Sequence, residues 1–144
     1  MDSSSFRWQL HSLLRAINLN IPLGLDNPFI EGITCDSRNV KPGSLFCGLP
    51  GQRVDGGVFW PQALSAGAIA AVIGPDAAKL TPPNSKDPVV VLPEPVSQFI
   101  GELASTFWHQ PSSKMTLIGV TGTNGKTTVT HLIEHLSHCV GKRP

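Results

Sequence analysis

Ten residues, Gly119-Val120-Thr121-Gly122-Thr123-Asn124-Gly125-Lys126-Thr127-Thr128, constrain this chain more than any others. They follow Met115-Thr116-Leu117-Ile118, a short apolar run of strand composition. They precede Val129, Leu132, Ile133, Leu136 and Val140, which are spaced as one face of a helix. The expected order is strand, glycine-rich turn, Lys-Thr and helix, the context that a phosphate-binding loop requires. Glycines let backbone approach an anion, and successive N–H groups at a helix N-terminus then point at the phosphates. Lys126 can reach the β- and γ-phosphates, and the Thr127 hydroxyl can hold Mg²⁺. The general pattern G-x-x-x-x-G-K-[ST] is missed at one position, because Val120 stands where its first glycine belongs and glycine occurs at 119 and 122 instead. The bland alternative is a glycine-rich turn with a surface lysine. Agreement among strand, glycines, Lys-Thr and amphipathic helix favours the phosphate reading.

Length sets a second constraint. The 144 residues suit roughly one domain at about 100–200 residues each. The segment from Met115 onward holds one strand, the loop and one helix, whereas a nucleotide-binding α/β domain needs several βαβ units of about 30 or more residues. The chain is therefore expected to be the N-terminal piece of a longer protein. Eleven Lys and Arg against ten Asp and Glu give a net charge of +1, which supplies no argument for nucleic acid or an anionic membrane. The longest apolar runs, Ala68 to Ile73 and Val89 to Leu92, are far short of a membrane span. Met1-Asp2-Ser3-Ser4-Ser5 lacks the basic and apolar regions of a secretory signal. Cys35, Cys47 and Cys139 are widely spaced, which suits reduced thiols in a cytoplasmic protein better than disulfides or zinc.

Read in order, Ser3 to Ser5 can cap a first helix running from about Ser5 to Ile17, with Phe6, Leu10, Leu13, Leu14 and Ile17 at helical spacing. A loop through Pro22, Gly24 and Pro28 leads to a strand over Ile30 to Cys35, and Ser44 to Leu49 reads as the next strand. A helix is expected from about Phe59 to Gly67, with Pro61 in its first turn. Ala68 to Ile73 is a continuous apolar strand of the kind covered on both faces. Six prolines between Gly74 and Pro95 frame a loop around one more strand, Val89 to Leu92. Val96, Phe99, Ile100, Leu103 and Phe107 form the stripe of a third helix. The reading is an α/β chain: a small domain over residues 1–110, then residues 111–144 as the opening strand, loop and helix of a second domain.

Other groups have competing readings. Asp36-Ser37-Arg38 at a strand end can bind a phosphate, a uracil edge or a ribose, or can be a turn closed by its own aspartate. Gln52-Arg53-Val54-Asp55-Gly56-Gly57 is either a ligand-facing or a solvated loop. The two loops follow successive strands and can lie at one edge of the sheet. His131-x-x-Glu134-His135 matches a zinc-peptidase pattern, but with His138 it falls opposite the apolar stripe, as the solvated face of the loop helix would. Cys35 and Cys47 sit in apolar segments expected in the core, and packing is the default for Trp8, Trp60 and Trp108.

With these pieces placed, the chain resembles the Mur ligases, ATP-dependent amide-bond ligases of peptidoglycan precursor synthesis. Gly119 to Thr128 resembles that family's version of the phosphate loop. Thr34-Cys35-Asp36-Ser37-Arg38, Pro42-Gly43-Ser44-Leu45-Phe46, Gly51-x-x-x-Asp55-Gly56 and Gln62-Ala63-x-x-x-Gly67-Ala68 occur in the family's order. Together they are most similar to the members that add a diamino acid, meso-diaminopimelate or L-lysine, to UDP-N-acetylmuramoyl-L-alanyl-D-glutamate. The alternatives are another Mur ligase, folylpolyglutamate synthetase, or a non-catalytic nucleotide-sugar-binding module. The resemblance implies that Cys35, Ser37, Gln52, Arg53 and Val54 contact the UDP part of the nucleotide sugar. It implies that Gly122, Thr123, Asn124, Gly125, Lys126, Thr127 and Thr128 hold ATP, with Lys126 on the phosphates and Thr127 on Mg²⁺. One departure is Gly57, where relatives often carry histidine or another large polar residue. The implied reaction phosphorylates the D-glutamate carboxylate and lets the amine of the diamino acid displace phosphate. The groups that read this acceptor are expected in a C-terminal domain outside this sequence, so the chain alone is expected to be inactive.

Overall fold

The computed structural model describes residues 7–142. They fall into two compact units, the first ending at Pro111 and the second beginning at Ser112.

The first unit is built on four parallel strands: β3 (Gly32–Thr34), β4 (Ser44–Cys47), β5 (Ala70–Ile73) and β6 (Val89–Val91), adjacent in that order. Ile33 pairs with Leu45, Phe46 with Ala71, and Val72 with Val90. Every residue of β4 and β5 is buried, because helices cover both faces of the sheet. On one face α1 (Leu10–Ala16) and α4 (Val96–Phe107) set Leu13, Leu14, Leu103 and Phe107 against Leu45, Cys47, Val72 and Val90. On the other, α2 (Trp60–Ser65) and α3 (Pro75–Leu80) set Trp60, Ala63 and Ala77 against Phe46, Ala71, Ile73 and Val89. The two-residue alternation of a strand divides β4 and β5 between the two cores. This three-layer arrangement is the α/β class that the apolar runs predict.

Several boundaries differ from expectation, each for a local reason. The first helix does not start near Ser5. Trp8–Gln9 forms β1, paired antiparallel with β2 (Phe29–Ile30), and Leu10 N–H donates to Pro28 O at 3.0 Å as the helix begins. The cap anticipated at Ser3 to Ser5 and the packing of Phe6 lie outside the described residues, as do Arg143 and Pro144. The strand anticipated over 30–35 is divided at Glu31, because β2 pairs with β1 while β3 pairs with β4. Cys35 lies past the end of β3 and is exposed, so only Cys47 of that pair is a core thiol. Trp108 is 44% exposed rather than packed in the core. The proline-rich stretch contains a helix, α3, where its prolines predict only loop. Pro75 occupies the first helical position, where its missing N–H costs nothing, and Asp76 and Lys79 pair at 2.8 Å one turn apart.

In the second unit, α5 (Lys126–Cys139) is capped at Val140 and followed by Gly141, whose φ is +72°. Residues 115–118 have the composition of a strand and form none. A strand exists through hydrogen bonds to a neighbour, and no strand occurs among the described residues of this unit. Met115, Leu117 and Ile118 are exposed, as are Val129, Leu132 and Leu136 on the apolar stripe of α5.

Phe107→Ala is expected to lower the unfolding free energy of the chain by about 3–5 kcal/mol. Leu23→Ala, at a fully exposed position, should change it by no more than about 0.5 kcal/mol; urea titrations followed by circular dichroism compare the two. Amide exchange should be faster in α5 than in β4 and β5, and equal protection would contradict the exposure of its apolar stripe.

Candidate functional site

In a parallel sheet, the loops leaving the carboxyl ends of neighbouring strands emerge side by side, and ligands of open α/β folds bind there. The Asp36-Ser37-Arg38 turn leaves β3, and the Gln52-to-Gly57 loop leaves β4, at that one edge. Residues 35, 37, 52, 53 and 54 therefore share an end of the first unit, as their positions after successive strands predict.

The turn after β3 closes on its own side chains. Asp36 N–H donates to Thr34 Oγ1 at 3.2 Å, and Arg38 N–H donates to Asp36 Oδ1 at 3.0 Å. The Arg38 guanidinium then takes both carboxylate oxygens of Asp36, Nε to Oδ1 at 2.9 Å and an Nη to Oδ2 at 3.2 Å. This fork fixes the guanidinium at the rim of the sheet. Those hydrogen bonds hold the Asp36 carboxyl below the usual aspartate range and raise Arg38. The turn is thus both the self-closed structure and a polar rim, which leaves Ser37 to face inward. Ser37 is buried, and its Oγ lies 3.5 Å from Gln62 Oε1 on α2.

The second loop is shaped by backbone. Asp55 accepts the Gly57 N–H at 2.8 Å and caps a short 3₁₀ turn over Gly56–Phe59. Gly56 N–H donates to Leu49 O at 2.9 Å, and Pro50 and Asp55 form a bridge across the loop. A Cβ on Gly48 would lie 2.3 Å from Gly57 Cα, and a Cβ on Gly57 would lie 2.5 Å from Ala77 Cβ. Gly57 is buried in this contact, so position 57 sends no side chain toward a ligand. Gln52, Arg53 and Val54 are exposed at the tip.

Gln62 is a contact that sequence reasoning misses. It is the third residue of α2, directly after the loop, and its amide joins that element to the turn after β3. Its place in the Gln62-Ala63-x-x-x-Gly67-Ala68 block marked the residue, but nothing in that block points to Ser37 as its partner.

The glycine-rich loop belongs to the second unit. Gly125, at φ +78°, is the N-cap of α5, a conformation that a β-carbon would strain. No side chain caps this helix, so the first-turn N–H groups contributed by Lys126, Thr127 and Thr128 lack intrahelical acceptors. Lys126 Nζ bends back to donate to the Gly122 carbonyl at 2.5 Å and the Thr123 carbonyl at 3.4 Å. Residues 121–130 are all exposed, Thr123, Asn124 and Thr127 among them. Open backbone donors, a helix N-terminus and a tethered ammonium suit a polyphosphate, and the Thr127 hydroxyl is an oxygen ligand of the type Mg²⁺ takes.

On the other side of α5, His131 Nδ1 lies 3.5 Å from Glu134 Oε2 on an exposed face. Among the described residues no three His, Cys, Asp or Glu side chains gather to hold a metal ion. Among them, too, no helix is long and apolar enough to cross a membrane.

Residues 29–108 match the family model described as Mur ligase family, catalytic domain. The chain is 65% identical over 133 residues to the UDP-N-acetylmuramoyl-L-alanyl-D-glutamate--2,6-diaminopimelate ligase of Prochlorococcus marinus (strain MIT 9313), covering 92% of this chain and 26% of that one. It is 50% identical over 115 residues to the ligase of the same name from Thermosynechococcus vestitus, covering 80% and 22%. The chain thus spans about a quarter of the length of these relatives. Among solved structures, MurF from Acinetobacter baumannii superposes with a TM-score of 0.61 at 23% identity, over 92% of this chain and 28% of that one, a likeness of fold.

The depressed carboxyl of Asp36 gives a sign to the pH response of the turn. Its folded value is below the unfolded one, so its contribution is present above the ordinary aspartate range and is lost as pH falls through the lowered value. NMR titration should find Asp36 titrating below an ordinary aspartate, and Arg38→Ala should move it upward. An unchanged midpoint in that variant would remove Arg38 as the cause.

Proposed function

The chain belongs to the Mur ligase family, and from that premise we propose that it is the nucleotide-sugar-binding and phosphate-loop segment of a ligase that joins meso-diaminopimelate to UDP-N-acetylmuramoyl-L-alanyl-D-glutamate. Its relatives are named for 2,6-diaminopimelate as acceptor, and the setting in this proposal is cytoplasmic peptidoglycan precursor synthesis. The observation that carries the reading is that the turn after β3 and the loop after β4 leave the sheet at one carboxyl edge, with Ser37 tied to Gln62 at the start of α2.

In this proposal residues 1–110 are the UDP-sugar domain. Cys35 and Ser37 receive the uridine nucleotide from one side, while Gln52, Arg53 and Val54 close on it from the other. Arg53 brings the positive charge that a diphosphate requires, and the Gln62 amide holds Ser37 Oγ in place. Residues 111–144 open the ATP domain, with Gly122, Thr123, Asn124, Gly125 and Thr128 offering backbone around the phosphates. Lys126 exchanges its loop carbonyls for phosphate oxygens and offsets charge as the γ-phosphoryl moves to the D-glutamate carboxylate. The amine of the diamino acid then attacks the acyl phosphate and phosphate leaves. Mg²⁺, when bound at the Thr127 hydroxyl, supplies further neutralisation of phosphate charge.

Calorimetry with the chain should register binding of UDP-N-acetylmuramoyl-L-alanyl-D-glutamate and none of folate; folate binding would sink the assignment. In a full-length ligase carrying this segment, Lys126→Ala should lower turnover by at least about 10²-fold. Affinity for the UDP-sugar should remain near that of the parent. Parallel losses in both would show that the two sites are not separate.

A further inference from the structure

Two of the three cysteines follow directly on the last register pair of β3 and β4. Thr34 of β3 and Phe46 of β4 are partners in the parallel ladder, and Cys35 and Cys47 are the next residue on each chain. Neighbouring strands lie about 4.8 Å apart, inside the Cα separation of about 4.4–6.8 Å that a disulfide spans. In-register residues of parallel strands project to the same face. One alternation earlier, Ile33 and Leu45 pack on the same core cluster that Cys47 joins. Their surroundings differ: Cys47 is buried and Cys35 is exposed.

We propose that Cys35 and Cys47 are a redox-linked pair, joined by an intramolecular disulfide when a small-molecule disulfide oxidises them. The solvent-facing Cys35 thiolate attacks one sulfur of the oxidant, forming a mixed disulfide and releasing one thiolate. Cys47 then loses its proton and attacks Cys35 Sγ, releasing the second. Two protein thiols give up two electrons and two protons, and the oxidant is reduced to two thiols. Burial raises the Cys47 thiol and partial desolvation raises Cys35, so exchange is slow and the equilibrium product is the quantity to read. The closed ring encloses Asp36, Ser37 and Arg38, so oxidation tethers the turn at the rim of the site to the interior of the sheet.

The test uses the chain carrying Cys139→Ala, which removes the cysteine of α5. After equilibration with glutathione disulfide, free thiols are blocked with N-ethylmaleimide and the products are mapped by mass spectrometry. The expected result is loss of both blocked positions and recovery of a peptide linking Cys35 to Cys47, reversed by a dithiol reductant. Cys35→Ser, at the exposed position, should abolish the linked peptide even if Cys47→Ala fails to fold. Two thiols still open to blocking, or a persistent glutathione adduct on Cys35 beside a free Cys47, would overturn the pairing. No nucleotide enters the experiment, so its outcome is independent of the ligand assignment.

Discussion

Backbone groups of β4 and β5 have strands on both sides, and the side chains of these two strands meet helices above and below. In a parallel sheet this double burial favours apolar residues facing either layer, and Ser44, at the start of β4, is the one polar side chain in the two strands. Leu45 and Cys47 serve one core, Phe46 the other, and Ala70 to Ile73 alternate in the same way. The small alanines of β5 let the helical layers approach, while Phe46 and Phe107 fill the thicker regions at opposite faces. Polar chemistry is thereby pushed to the strand ends, where the chain must leave the sheet.

At the carboxyl end, the two departing loops solve the same problem by different means. After β3, side chains do the closing: Thr34, Asp36 and Arg38 satisfy the turn among themselves, and Ser37 turns toward Gln62. After β4, absence of side chains does it, since Gly48 and Gly57 meet backbone to backbone and Asp55 caps the turn beyond them. The first loop carries charge in a fixed fork. The second carries its polar residues on an exposed tip above a tightly packed base.

Periodicity made much of this legible. The runs at Ala68 to Ile73 and Val89 to Leu92, and the stripe through Val96 and Phe107, read correctly because burial on a covered sheet or helix face leaves a direct pattern in the residues. Partners were harder to see. Residues 115–118 have strand composition without a neighbour to bond, and Trp8–Gln9 turned extended because β2 was available. Pro75 reads as a breaker or as a helix start depending on the residues after it, and here Ala77 is buried in the core while Asp76 and Lys79 pair along the exposed face. At the site, two loops after successive strands already implied a shared edge. The Gln62 contact and the Gly48–Gly57 approach join residues distant in sequence through pairs that carry no periodic trace.

The Gly48–Gly57 contact has a bearing on how this edge can change. The base of the loop is positioned by atoms that are missing: a side chain on Gly48 would run into the backbone of Gly57, and one on Gly57 would run into Ala77. A larger residue at 57 requires Ala77 to shift, and it crowds the Asp55 carboxylate that caps the turn. The exposed side chains of Gln52, Arg53 and Val54 can vary freely at the tip, whereas the tightly packed base beneath them changes only as a block.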